Sequence, residues 1–387
     1  MAVTAAYLHL PFCRRRCYYC DFAISVVGDR PLTDDANIVT DYTNYLCQEI
    51  RTTPRTDIPL QTIFFGGGTP SLLPVKQFAQ IIQTLQQQFE IAPDAEISME
   101  IDPNTFTQGQ LQGYLDCGVN RVSLGIQTFE EKLLQLCGRT HTVKDIFQAI
   151  ESIHRLSIKN FSLDLMTGLP HQTLEQCHAS LATAVDFKPS HLSCYDLVLE
   201  PVTVFGKQYQ PGETPLPTDE TTAAMYRLTQ QFLTSNGYQH YEISNYAQPG
   251  DQCRHNRVYW QNQPYYGFGM GATSYVNEQR YTRPRTRREY YNWVQKGAVI
   301  DVPLTSKSDR LLETLMLGLR LAEGVNLATI SQQFGSKNTT KILTCLQQYQ
   351  ERNWVIVELE SRLRLNDPEG FLFSNQILTS LFEIDFD

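Results

Sequence analysis

The run Pro11-Phe12-Cys13-Arg14-Arg15-Arg16-Cys17-Tyr18-Tyr19-Cys20-Asp21-Phe22 decides how this chain is read. It follows directly on Ala5 to Leu10, an apolar stretch that reads as a strand, so one short loop at a strand's C-terminal end brings three thiols towards a common centre. A structural zinc site takes four protein ligands, and none of the other seven cysteines supplies a pair at matching spacing. Three thiolates fit a cubane iron–sulfur cluster with one iron open to an exchangeable ligand, because four cysteines are the usual complement. A three-thiol zinc site, or three unrelated buried thiols, is the plainer alternative.

Outward from this loop, strand-like runs recur at Thr62–Phe65, Glu96–Ile101, Arg121–Gly125, Asn160–Met166 and His191–Leu197. Amphipathic stretches lie between them, with apolar residues at helical spacing, as in Phe78, Ile81, Ile82, Leu85 and Phe89, or Ile146, Ile150, Ile153 and Leu156. Strands alternating with helices predict an α/β fold with a parallel sheet, here a partial (β/α)6 barrel whose strand ends carry the site. The strand ends run into Gly66-Gly67-Gly68-Thr69-Pro70-Ser71, Glu100-Ile101-Asp102-Pro103, Gly125-Ile126-Gln127 and Asp164-Leu165-Met166-Thr167-Gly168-Leu169-Pro170. All should face the same end as the cysteine loop, where glycines admit a ligand close to the backbone and carboxylates or amides hold amino or hydroxyl groups.

With 387 residues and 42% apolar content, the chain is long enough for two or three domains and has no low-complexity tract. No apolar run of about eighteen residues occurs and no signal-peptide core forms before Pro11, so the expected location is the cytoplasm. Its cysteines are then thiols or metal ligands rather than disulfides, with Cys47, Cys117, Cys137, Cys177, Cys194 and Cys345 scattered among apolar residues as core thiols. A net charge of −9 argues against nucleic acid as the main partner.

The C-x3-C-x2-C spacing resembles that of the radical S-adenosylmethionine (SAM) enzymes, in which SAM chelates the open iron and is cleaved to a 5′-deoxyadenosyl radical. Tyr7-Leu8-His9-Leu10-Pro11-Phe12-Cys13, the triple glycine, Ser123-Leu124-Gly125-Ile126-Gln127 and Gly168-Leu169-Pro170 together resemble the oxygen-independent coproporphyrinogen III oxidase branch of that family. The resemblance implies that Cys13, Cys17 and Cys20 hold a [4Fe–4S] cluster and that Tyr7, Gly67, Gly68, Thr69, Glu100, Gln127, Arg139 and Asp164 line a SAM pocket. Two departures are His171, where the family usually has glycine, and Thr167 in place of a usual tyrosine; both put the local loop geometry in question.

Two branches share these motifs. The oxidases carry a further cysteine two residues past the third ligand, where this chain has Phe22, and an N-terminal extension, whereas twelve residues precede Cys13 here. Cys253-Arg254-His255-Asn256-Arg257-Val258-Tyr259-Trp260 is similar to the His-Asn-x-x-Tyr-Trp signature of the HemW-type haem chaperones. On that likeness His255, Asn256, Tyr259 and Trp260 are candidate haem-binding residues, with Cys253 a rival iron ligand; imidazole suits the iron and flat rings suit the macrocycle. Taken alone, His255 is more simply a hydrogen-bonded core histidine and its neighbours core aromatics. Arg280, Arg283, Arg285, Arg287 and Arg288 crowd a segment with Tyr281, Tyr290, Tyr291 and Trp293, which reads either as a clamp for porphyrin carboxylates or as a solvated loop.

Three domains are expected: the barrel over 1–235, a connecting segment over 236–300, and a C-terminal part over 301–387. In the last, Ser308-Asp309 opens a helix with the apolar face Leu311, Leu312, Leu315, Met316 and Leu319, and Trp354–Leu359 with Arg362–Leu365 reads as a hairpin, giving a small, mainly helical, winged-helix-like unit. Its acidic residues outnumber its basic ones twelve to eight, which makes DNA a poor partner and a packing or substrate-covering role the better one. The expected function is a haem chaperone that passes haem to acceptor haem proteins, respiratory-chain components among them, through transient membrane-protein contact. The expectation from the other class is the coproporphyrinogen III oxidase itself. Neither oligomeric state nor any catalytic residue is legible.

Overall fold

The computed structural model describes residues 2–29, 32–33, 36–358 and 362–386. The six expected strands are present as β1 (Ala5–Leu10), β2 (Leu60–Gly67), β3 (Ile91–Ile101), β4 (Arg121–Gln127), β5 (Phe161–Thr167) and β6 (His191–Asp196). They lie side by side in chain order and all pair in parallel. Each crossover carries helix, as in Val75–Phe89 after β2 and Val143–Arg155 after β4, whose buried faces include the expected Phe78, Ile81 and Leu85, and Ile146, Ile150 and Ile153. Thr142 and Asp145 close a capping box at the start of the second of these helices.

The segment 236–300 does more than connect. It supplies β7 (Gln239–Glu242), β8 (Asn245–Ala247) and β9 (Tyr266–Phe268) to the same sheet. β9 pairs in parallel with β1 at one edge, while β8 runs antiparallel to β6 at the other and carries β7 outside it. The sheet of the described residues therefore reads β9-β1-β2-β3-β4-β5-β6-β8-β7. A buried ion pair fixes this arrangement: Glu49, on the helix Asn37–Thr52, accepts from Arg283 Nε (2.8 Å), Tyr290 Oη (2.6 Å) and the amide of Gly269 (2.9 Å).

The C-terminal unit has its own apolar core around Leu311, Leu315, Ile342, Leu346 and Leu363. Its first helix begins at Lys307 rather than Ser308, because Ser306 is the residue whose hydroxyl accepts from the Asp309 amide. Two further helices lead to strands Val355–Val357 and Arg362–Leu365, with Val325–Asn326 as third strand; the expected end of the hairpin's first strand, Leu359, lies outside the described residues. The unit is docked on β7: Ile243 and Ala322 exchange main-chain bonds with Arg320 and Tyr241 (both 3.0 Å), and Asp367 meets His240 at 2.9 Å. None of its described residues lines either interior cavity; these contacts are with the sheet. Among the described residues no helix is long and apolar enough to cross a membrane.

Candidate cluster and cofactor site

The carboxyl ends of β1–β6 surround a cavity of about 380 Å³ that opens beside the cysteine loop. Cys13, Cys17 and Cys20 line it together with Gly67, Gly68, Thr69, Glu100, Gln127, Arg139 and Asp164, so ten of the residues expected at the cluster and cofactor converge on one space. Tyr7 is the exception. It lines a deeper cavity of about 230 Å³, nearer the amino ends of the strands, where its hydroxyl meets His9 Nδ1 at 3.1 Å. Phe22, Glu100, Ser123, Asp164 and Tyr195 border both spaces.

The backbone explains why the loops are built from these residues. A Cβ on Gly67, which has φ +116°, would sit 2.5 Å from the His9 ring, and one on Gly68 would meet the Pro11 carbonyl carbon at 2.7 Å. Only glycine lets the loop after β2 pass against the cysteine loop here. Gln127 has φ 66° at a register shift in the β4–β5 pairing, a bulge that turns the strand end and places its amide on the cavity wall. His171 occupies φ 63°, the left-handed region that favours glycine, so the loop keeps its turn despite the departure at this position. Thr167 bonds the Asp196 carboxylate instead of offering a ring.

Asp102 stands just past the end of β3, two residues after Glu100, lines the same cavity, and is the residue that sequence reasoning left out of the site. Its carboxylate takes Arg139 Nη2 at 2.5 Å and Thr69 Oγ1 at 3.2 Å. Those partners in turn reach the thiols, with Arg139 Nη1 3.5 Å from Cys17 Sγ and Thr69 Oγ1 3.7 Å from Cys13 Sγ. Burial is the largest influence on Arg139 and works to lower its pKa, but the Asp102 charge and hydrogen bond together with Tyr19 and Cys17 raise it overall and keep the guanidinium protonated. A fixed cation beside the loop suits a centre built from thiolates.

Burial pushes the Cys13 thiol up to about 12 and raises that of Cys20, so positive charge beside them, as iron provides, favours their thiolate forms. Among the described residues no three His, Cys, Asp or Glu side chains are placed to hold a single metal ion, the trio included. Three thiols on one loop, with Arg139 beside them and no fourth Cys or His among the cavity-lining residues, fit the donor set of a cluster with one open iron. Burial first, and the Asp164 charge second, lift the Glu100 carboxyl to about 8 although it accepts from the Gly67 amide (3.0 Å). Asp164 is likewise raised by burial against three serine hydroxyls, Ser123 among them at 2.8 Å. Two carboxyls raised in this way on one cavity wall repel each other less than two ordinary carboxylates would, and both still offer oxygens to a cationic amino group.

The four haem candidates go in different directions. The helix Arg254–Trp260 sits at the amino ends of the strands, where the Glu96 carboxylate takes the amides of Arg254 and His255 (both 3.0 Å). His255 is fully buried; Nδ1 meets Thr62 Oγ1 at 2.9 Å, Nε2 meets Tyr259 Oη at 2.8 Å, and the ring stacks on Phe64. Both ring nitrogens are thereby engaged, and burial lowers its pKa to about 3. Asn256 and Tyr259 line the deeper cavity, as does Cys253, whose Sγ lies 3.5 Å from Glu96 Oε1. Trp260 packs under Arg320. In this arrangement the motif is the floor of the barrel. The arginine segment is also divided: Arg283 is spent on Glu49 and Arg280 on Glu313, whereas Arg285 reaches the cysteine loop and bonds the Asp21 carbonyl at 2.6 Å.

Comparison with known proteins agrees with this construction. Residues 7–184 match the model of the radical SAM superfamily, and residues 305–373 that of the HemN C-terminal domain. The chain is 50% identical to heme chaperone HemW of Synechocystis over 98% of this chain and 96% of that protein. It is 35% identical to heme chaperone HemW of Bacillus subtilis over 96% of this chain and 97% of the relative. The solved structure of coproporphyrinogen III oxidase (HemN) from Escherichia coli superposes with a TM-score of 0.82 at 23% identity, covering 98% of this chain and 90% of that one, which speaks for the fold.

Proposed function

This chain belongs to the HemW family within the radical SAM proteins, and from that premise we propose that it is a cytoplasmic haem chaperone that binds haem and passes it to acceptor haem proteins. In this reading Cys13, Cys17 and Cys20 hold a [4Fe–4S] cluster and the cavity at the strand ends takes SAM. When bound, the cluster would supply a single electron beside the SAM sulfonium. The protein's own residues do the rest: Arg139 and Thr69 address the thiols, Gly67 and Gly68 open the backbone, and Glu100, Gln127 and Asp164 offer polar contacts. Respiratory-chain haem proteins are the proposed acceptors.

The observation that carries the chaperone over the oxidase is Phe22. Where the oxidases place another thiol, this chain sets an apolar ring on the wall shared by both cavities. The intact polar cavity is what favours the second reading, oxidative decarboxylation of coproporphyrinogen III. The two separate in one anaerobic experiment on cluster-reconstituted protein with SAM, a reductant and coproporphyrinogen III, run beside haemin loading and transfer to an apo-haem protein. Haem uptake and transfer without protoporphyrinogen is expected; stoichiometric protoporphyrinogen overturns the proposal.

A further inference from the structure

Half of the large apolar side chains that stand exposed among the described residues fall in two segments at the mouth of the barrel, 18–26 and 195–204. The cysteine loop exposes Phe22 and Val26 at 55% and 56%, while the end of β6 exposes Tyr195 at 43% and the loop after it exposes Val198 and Val202 at 65% and 70%. The loops are one structure, because the Phe205 amide bonds the Tyr18 carbonyl at 2.9 Å and the two rings meet edge to face. Phe22 and Tyr195 lead from this surface onto the walls of the cavities. An apolar rim of this kind around an opening marks a binding surface, since solvent-facing apolar groups are otherwise dispersed.

The charges around the rim say what it takes. Arg14 lines the mouth and has no hydrogen bond or ion pair among the described residues. Arg15 is held only by Asp29 at 2.9 Å, with both side chains more than 60% exposed, a bridge that solvent screening makes easy to exchange. Arg285 adds a third guanidinium, bonded to the Asp21 carbonyl of the cysteine loop next to Phe22. A flat apolar body with a carboxylated edge complements this surface, and neither loop contains a histidine.

We infer that this rim is the seat of the haem: the macrocycle lies on Phe22, Tyr195, Val198 and Val202 and its propionates face Arg14, Arg15 and Arg285. The assignment rests on the proposal that the chain carries haem, and it moves the site from the His255 motif at the barrel floor to the open mouth. A face-bound ring at the mouth remains accessible to an acceptor, which a ring sealed in the floor would not be.

The test is a haemin titration of the full chain followed by the Soret band, with metal-free protoporphyrin IX in parallel. Val198 and Val202 are exposed and outside the cluster and cofactor walls, so the V198D/V202D double variant leaves cluster absorbance and SAM binding unchanged. It is expected to weaken haemin binding at least tenfold, and Arg14→Glu at least threefold with a shallower salt dependence. Protoporphyrin IX should bind within tenfold of haemin. Haemin binding by the double variant as tight as that of the parent overturns the rim assignment and leaves the chaperone reading intact. No haemin binding by the parent chain removes both. If the double variant alters only self-association, the rim joins two copies of the chain and the assignment fails.

Discussion

Replacing His255 by alanine separates a structural from a ligating imidazole. The substitution leaves two hydroxyls, Thr62 Oγ1 and Tyr259 Oη, without partners in a fully buried setting, and it removes the ring stacked on Phe64 at 5.3 Å. An orphaned buried polar group costs about 1–3 kcal/mol, so two of them with a small void amount to about 3–5 kcal/mol. At about 2–4 °C per kcal/mol for a large domain, the thermal midpoint should fall by on the order of 10 °C. The assay is circular-dichroism melting of the cluster-free protein, paired with haemin titration well below the transition. Thr62→Val and Tyr259→Phe serve as milder probes, each expected to cost about 1 kcal/mol. Haemin stoichiometry and affinity should be unchanged in every variant that remains folded. A His255→Ala protein that melts with the parent but has lost its Soret band would refute the reasoning, because the ring would then be spare in the fold and needed for the haem.

Other outcomes follow from the same geometry. The Glu100 carboxyl ionises near 4.5 in the unfolded chain and near 8 when folded, so unfolding between these values releases a proton and apo-protein stability falls as pH rises; the slope is roughly 1.4 kcal/mol per pH unit, and Glu100→Gln should flatten it in urea titrations across that range. Asp102→Asn strips Arg139, whose side chain is 9% exposed, of its counter-charge, and should cost about 2–4 kcal/mol and weaken SAM binding at least tenfold by equilibrium dialysis on reconstituted protein; unchanged SAM binding would show that Asp102 does not position the cavity wall. Asp367→Ala removes the partner of His240, 1% exposed, and should loosen the C-terminal unit by about 1–2 kcal/mol, read as faster proteolysis near residue 300 with cluster absorbance preserved.

The sequence by itself determined what is local. Six strands, the glycine-rich ends of β2 and β5, and the thiols of one loop all rest on period, turn chemistry and spacing within a few residues. The parallel order follows because strands joined by helices have few other ways to bury both faces. Asp102 was within reach, since it stands two residues past Glu100 where the strand runs out into the site. The tertiary structure decided what depends on distant contacts. That segment 236–300 adds strands to both edges of the sheet rests on pairings such as Leu8 with Phe268 and Ser193 with Asn245, which no local pattern encodes. The hydrogen bonding of His255 rests on Thr62, 193 residues away, and that of the arginine cluster on Glu49, which takes Arg283 while Arg285 bonds the Asp21 carbonyl of the cysteine loop. A polar side chain announces its chemistry in the sequence, but whether that chemistry is free for a ligand or already consumed inside the fold is settled only by which groups packing brings within hydrogen-bond reach.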